Sequence, residues 1–265
     1  MITKNDITNF IDKIPPAPEV LKETINHVNA GDLAKAAKSA SSDIALATYL
    51  RTLVNRPIFG FKNEVNDISQ IFGILGASSA KQVLHNYMIS LLSPNDWKLF
   101  ALNETLFFDF QAELSMQWKK ILHHLNINES TIESAITLLP ASIIVCEALF
   151  CSKIEEVTLL KRNNNIDYNT ILKRLSGFSL FEVCVLIAKK WQMQENIYSI
   201  VFCASGYSPS PNKEIDILAK WMHLLLFYTL SKPLFIQANL NDFIDFNTDY
   251  VEEITPDFMQ LMSIS

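Results

Sequence analysis

The sequence predicts an all-α protein, and three observations lead there. Apolar residues recur at helical spacing along most of the chain. Glycine is scarce, at 6 of 265 residues, whereas the repeated turns of a sandwich or barrel normally consume it. No segment alternates convincingly with the period of two that marks a half-buried strand. Hydrophobic residues make up 49% and charged residues 19% of the chain. Such a composition suits a globular protein with a large core and not a disordered chain.

In the first ~95 residues the pattern predicts a string of short helices with clear stops. Ile7, Phe10, Ile11 and Ile14 form one apolar face, Thr3 and Asp6 suit a capping box, and Pro15-Pro16 ends the helix. A second helix carries Leu21, Ile25 and Val28 and stops before Gly31. Asp32 caps a third. Ser42 or Asp43 caps a fourth, whose apolar positions are Ile44, Ala47, Leu50 and Val54. A loop follows from Asn55 to Gly60. A fifth helix runs from about Asp67 to Leu75 and stops at Gly76. A sixth starts near Ser79 and carries Val83, Leu84, Tyr87, Met88 and Leu91.

Pro94 and Asn95 mark a boundary. Beyond it, helices are expected over about Glu104–His124, Thr131–Phe150, Tyr168–Leu175, Phe181–Trp191 and Glu195–Ala204. Tyr207 to Pro211 reads as a loop. A strongly apolar helix follows from about Ile215 to Leu230, and Thr255-Pro256 reads as a cap and first turn of a last short helix. The resulting division is an N-terminal helical part (1–95), a second helical part (96–206) and a C-terminal extension (207–265).

Charge and cysteine usage narrow the function classes. The net charge is −6, and the basic residues come as isolated pairs: Lys119 and Lys120, Lys161 and Arg162, Lys189 and Lys190. A nucleic-acid binder needs a concentrated basic surface, so no nucleic-acid partner is expected and the pairs read as solvated helix faces. Cys146, Cys151, Cys184 and Cys203 include no C-x-x-C pair, and three lie in apolar contexts. Free thiols in a reducing cytosol are the natural account. Lys4, Asp6, Asp12 and Lys13 interrupt any apolar start, so no signal peptide is expected. The run Trp221–Leu230 falls short of the ~20 residues that cross a bilayer. A cytoplasmic protein without a membrane partner follows from these readings.

Candidate chemistry is sparse. The five histidines are His27, His85, His123, His124 and His223. Neighbours such as His123 and His124 point about 100° apart on a helix and cannot share a metal. No H-E-x-x-H, P-loop or G-x-G-x-x-G is present. Asp249, Glu252 and Glu253 read as a solvated face.

Four short motifs carry a resemblance. Residues 14–20 read IPPAPEV and are similar to an "LPPLPEV" opening. Ser42 to Ala47, then Leu50-Arg51 and Val54-Asn55, resemble "DPALAARLLRLANS". Ile58-Phe59-Gly60 resembles "YFG". Ile68 to Ile71 with Ile74 to Gly76 resembles "SIEQAIxLLG". In this order and spacing they resemble the HDOD family, the HD-related output domains, strongly over residues 14–85 and traceably to about 206. The resemblance implies an N-terminal helical bundle beside a helical half related to HD-type metal phosphohydrolases. It also implies a role in bacterial signal transduction.

HD enzymes hold metal with a first His, a His-Asp pair and further His residues. Here Leu99 to Trp118 contains no His. The position similar to "LLHDIG" reads Leu138-Leu139-Pro140-Ala141, so Leu139-Pro140 stands where the His-Asp pair would. The stretch similar to "GxDHxEVG" runs from Gly177 to Cys184 and places Leu180 at the His. The later His pair falls on Cys203-Ala204. No catalytic residue, metal or other cofactor is therefore expected. The leading expectation is a non-enzymatic module that acts through a signalling protein supplied in trans. The Asn55 loop is expected to help form its surface, with Phe59 buried as an anchor. The rival expectation is a receptor for a nucleotide or cyclic dinucleotide in the cleft between the helical halves. Its cations would be Arg51, Arg56, Lys62 and Lys81, which cluster around the best-matching motifs, beside Asn55 and Phe59 of the loop. A residual hydrolase is the third option.

Overall fold

A computed structural model of the chain describes residues 2–56, 60–164, 166–240 and 243–263. Every regular element among the described residues is helical. Helix α1 (Lys4–Lys13) carries the expected capping box between Thr3 and Asp6. It is followed by α2 (Glu19–Asn29), α3 (Leu33–Ser41), α4 (Ile44–Val54) and α5 (Ile68–Ser90).

Helices α2 to α5 make one compact unit, residues 16–91. Asp32, Asp43 and Asp67 each cap a helix by accepting a backbone N–H from the third residue on. Pairing these otherwise orphaned donors is the reason aspartate starts helices well. Leu21, Val28, Ala36, Ala40, Leu46, Leu50 and Phe72 are buried, each at 3% exposure or less. The small Ala36 and Ala40 lie on α3, which packs on α2, α4 and α5. The two helices expected around Gly76 are present and meet at a kink within α5, where Gly76 takes the non-helical φ 67° and ψ 175°. That conformation is open to glycine at little cost. Ile44 departs from its expected core role: it is 84% exposed, because it opens α4 on the solvent side.

The second unit joins residues 1–15 to residues 92–265. It contains α6 (Glu104–His124), α7 (Ser130–Ala135), α8 (Ala141–Phe150), α9 (Ile154–Asn164), α10 (Tyr168–Ser176), α11 (Leu180–Lys190) and α12 (Glu195–Cys203). The order continues through α13 (Lys213–Leu230), α14 (Pro233–Gln237), α15 (Thr248–Val251) and α16 (Thr255–Met262). This grouping differs from the division 1–95, 96–206 and 207–265 in two respects. Helix α1 packs on α8 and α11, where Lys190 donates to the carbonyls of Ile11 and Asp12 and Trp191 Nε1 donates to Pro15 at 3.0 Å. The C-terminal α13 packs on α6 and α12, so residues after 206 share a core with those before.

Three other expectations change in detail. The single helix expected over Thr131–Phe150 is α7, a 3-10 turn at Ile136–Leu138 and α8, because Pro140 lacks the N–H that a continuous helix would need. Helices α9, α14 and α15 were not anticipated. Thr255 does not cap α16; Ile254 holds that place and the Thr255 hydroxyl donates to the Val251 carbonyl.

The run Thr131–Asn163 is long and apolar enough to cross a membrane by length and composition. Its most apolar window is 89% buried inside the fold, so its apolarity is the apolarity of a core. Ile143, Val145, Cys146 and Phe150 of α8 are fully covered.

Candidate functional site

Two groups of positions singled out in the sequence lie in different units. In the first unit, Asn55 ends α4 and its side-chain amide bonds the backbone of the returning chain. Its Nδ2 donates to the carbonyls of Arg51 and Val65, each at 3.0 Å, and its Oδ1 accepts the Val65 N–H at 2.7 Å. Arg51 Nε donates to the Asn66 carbonyl at 2.8 Å. Both side chains thus staple the end of α4 to residues 65 and 66. An amide that both donates to and accepts from one residue's backbone fixes that strand of chain in place. Lys62 is exposed in the same loop and Arg56 is half-buried. Lys81 is only 7% exposed on α5. The structure therefore brings Arg51 and Asn55 together on the loop backbone and places Lys81 on a different element. Phe59, the expected anchor, lies outside the described residues, as do Pro57 and Ile58.

In the second unit, the positions that the resemblance aligns with HD ligands lie on elements that pack on one another. Helix α8 meets α11, α11 meets α12, and α12 meets the turn Ile136–Leu138. Leu139 is 1% exposed, Leu180 and Ala204 are fully covered, Cys203 is 6% exposed and Pro140 is buried. The backbone around them is satisfied locally: Ser142 Oγ donates to the Leu139 carbonyl at 2.7 Å, and Asn169 Oδ1 accepts the Leu180 N–H at 2.9 Å. The Cys203 thiol is pushed up by burial and by Asp216, so it stays protonated.

The Ala204 carbonyl has a partner that the sequence reading passed over. His223, fully buried on α13, donates from Nδ1 to it at 2.8 Å. Its Nε2 accepts the Asn247 N–H at 3.2 Å. A carbonyl on one nitrogen and an N–H on the other fix the neutral tautomer. Burial, against the opposing pull of the Ala204 carbonyl, lowers its pKa to about 4. Asn247 Nδ2 donates to the Gly206 carbonyl at 2.8 Å, and a Cβ on Gly206 would lie 3.0 Å from His223 Cε1. The end of α12 is thus locked by α13 and the chain near residue 247. Spacing gave no sign of this, since the partners lie 19 and 24 residues from His223.

Metal of the HD type does not fit these residues. Leu139, Pro140, Leu180 and Ala204 offer no donor side chains, and a site needs several. Among the described residues, no three His, Cys, Asp or Glu side chains are grouped where they could hold an ion. The buried carboxylate of Glu147 on α8 accepts the backbone N–H groups of Lys98, Leu99 and Phe100. Its oxygens serve that loop.

Comparison with known families places this arrangement. The profile of the HDOD domain matches residues 14–206. The chain belongs to the HDOD family. No curated protein matches it. An HDOD domain protein of unknown function from Geobacter sulfurreducens aligns over 98% of this chain and 95% of its own, at 14% identity and a TM-score of 0.65. A Shewanella amazonensis SB2B protein provisionally named a phosphohydrolase aligns over 97% of both chains, at 14% identity and a TM-score of 0.65. A Marinobacter aquaeolei VT8 protein provisionally named for signal transduction aligns at 17% identity and a TM-score of 0.65, over 97% of this chain and 58% of that one. At such identities the likeness is one of fold, and proteins named for different roles share it.

Proposed function

We propose that this HDOD protein is a non-enzymatic module of bacterial signal transduction that works in the cytoplasm by binding a protein partner. The observation that carries the reading is the content of the HD positions. Leu139, Pro140, Leu180 and Ala204 put covered apolar surface where HD enzymes put metal ligands, and water activation needs those ligands. The signalling name of the Marinobacter aquaeolei VT8 relative agrees with this reading. The net charge of −6 and the scattered basic pairs favour a protein partner over a nucleic acid.

The loop stapled by Asn55 is the proposed contact. Asn55 and Arg51 hold it from within, while Phe61, 42% exposed, and Lys62 stand on its outer side. The test is affinity capture from the native host with the intact protein and with a Phe61→Ser, Lys62→Glu double variant. A stoichiometric partner kept by the first and lost by the second is expected. Identical captured proteins from both would move the contact elsewhere, and turnover of a phosphodiester by the purified protein would overturn the reading itself.

A further inference from the structure

We propose that a cleft walled by α9, the start of α10 and residues 244–246 binds a nucleoside phosphate, with the phosphate on Lys161 and Arg162 and the planar base against Phe246. This inference does not rest on the protein-partner reading. The cleft has a volume of about 840 Å³, ample for a small ligand. Most of its lining is polar, which argues against an apolar occupant.

The two cations sit on the last turn of α9. Lys161 Nζ lies 4.5 Å from the centre of the Tyr168 ring, a cation–π contact that restrains its ammonium group. Arg162 is exposed and brings a planar fork of donors suited to phosphate oxygens. The aromatic side is Phe246. Its ring stacks on His223 with centroids 5.4 Å apart and 20° between planes, and meets Phe227 at 4.9 Å. Even so, Phe246 remains 45% exposed. A large ring held in place with much of its surface uncovered is a stacking platform for another flat ring.

Two carboxylates also line the cleft. Asp167 is buried and accepts the N–H groups of Thr170 and Asp245, each at 2.6 Å, so its oxygens are engaged by backbone. Asp245 also lines the cleft, beside Phe246. A carboxylate there suits sugar hydroxyls or the N–H groups of a base. None of the former HD positions lines this cleft.

Calorimetric titration of the full chain with AMP and GMP tests the proposal, with guanosine and inorganic phosphate as part-ligands. One-to-one saturable binding of at least one nucleotide is expected, with both part-ligands weaker. Arg162→Gln changes an exposed side chain and should weaken nucleotide binding by about tenfold, the loss of one charge-assisted contact. Phe246→Ser should reduce a nucleotide to the affinity of phosphate alone. Thermal unfolding confirms that each variant is folded. No heat and no thermal shift with either nucleotide at millimolar concentration would overturn the proposal. Equal nucleotide affinity in the native protein and the Arg162→Gln variant would overturn it as well.

Discussion

His223, Ala204, Gly206 and Asn247 act as one lock, and each member gives a measurable consequence. His223 is neutral in the fold with a pKa of about 4, against about 6.5 in an unfolded chain. The unfolded state therefore binds more protons between those values, and stability falls as pH drops from about 6.5 toward 4. Between pH 7 and pH 5 this histidine should cost about 2 kcal/mol of stability. Denaturant titrations of the native protein and of His223→Gln should show that extra loss only in the native protein. Equal pH slopes would contradict the burial of the ring. Gly206 has φ 79° and would place a Cβ 3.0 Å from His223 Cε1. Gly206→Ala should lower stability by about 1–3 kcal/mol, read as a lower denaturant midpoint. Asn55→Ala deletes two hydrogen bonds to Val65 and one to the Arg51 carbonyl of α4, and leaves the Val65 backbone without this partner. A loss of about 1–3 kcal/mol is expected, and an unchanged midpoint would mean the staple does not form in solution.

Several helix starts and stops were legible where a local side chain makes them. Thr3, Asp32, Asp43 and Asp67 bond amides three residues ahead, so the signal lies within one turn of sequence. Gly76 bends α5 for a reason equally local. Helix α9 escaped notice because its sequence, IEEVTLLKRNN, has a weak apolar stripe: Val157 is buried while Leu159 is 60% exposed. The same helix carries Lys161 and Arg162, read in the sequence as a solvated pair. Only the fold shows that Tyr168 and Phe246 complete a cleft around them. Thr255 failed as a cap because its hydroxyl turned back to the Val251 carbonyl, a competition that serine and threonine always offer.

For the whole molecule, the all-α class followed from periodicity and scarce glycine, and membership of the HDOD family from four motifs between residues 14 and 76. The grouping of elements into units was less visible. That α1 joins residues 92–265 depends on Lys190 and Trp191 reaching residues 176 to 179 positions earlier, which no local pattern records. The proposed absence of catalysis rests on Leu139, Pro140, Leu180 and Ala204, which offer no metal donor and leave Cys203 as the one donor among the positions aligned with HD ligands. The most direct test is elemental analysis of protein purified without chelators, paired with an assay of phosphodiester hydrolysis in added Mn²⁺, Fe²⁺ or Zn²⁺. The account predicts substoichiometric metal and no turnover above the metal-only control; one bound ion per chain together with hydrolysis would contradict it.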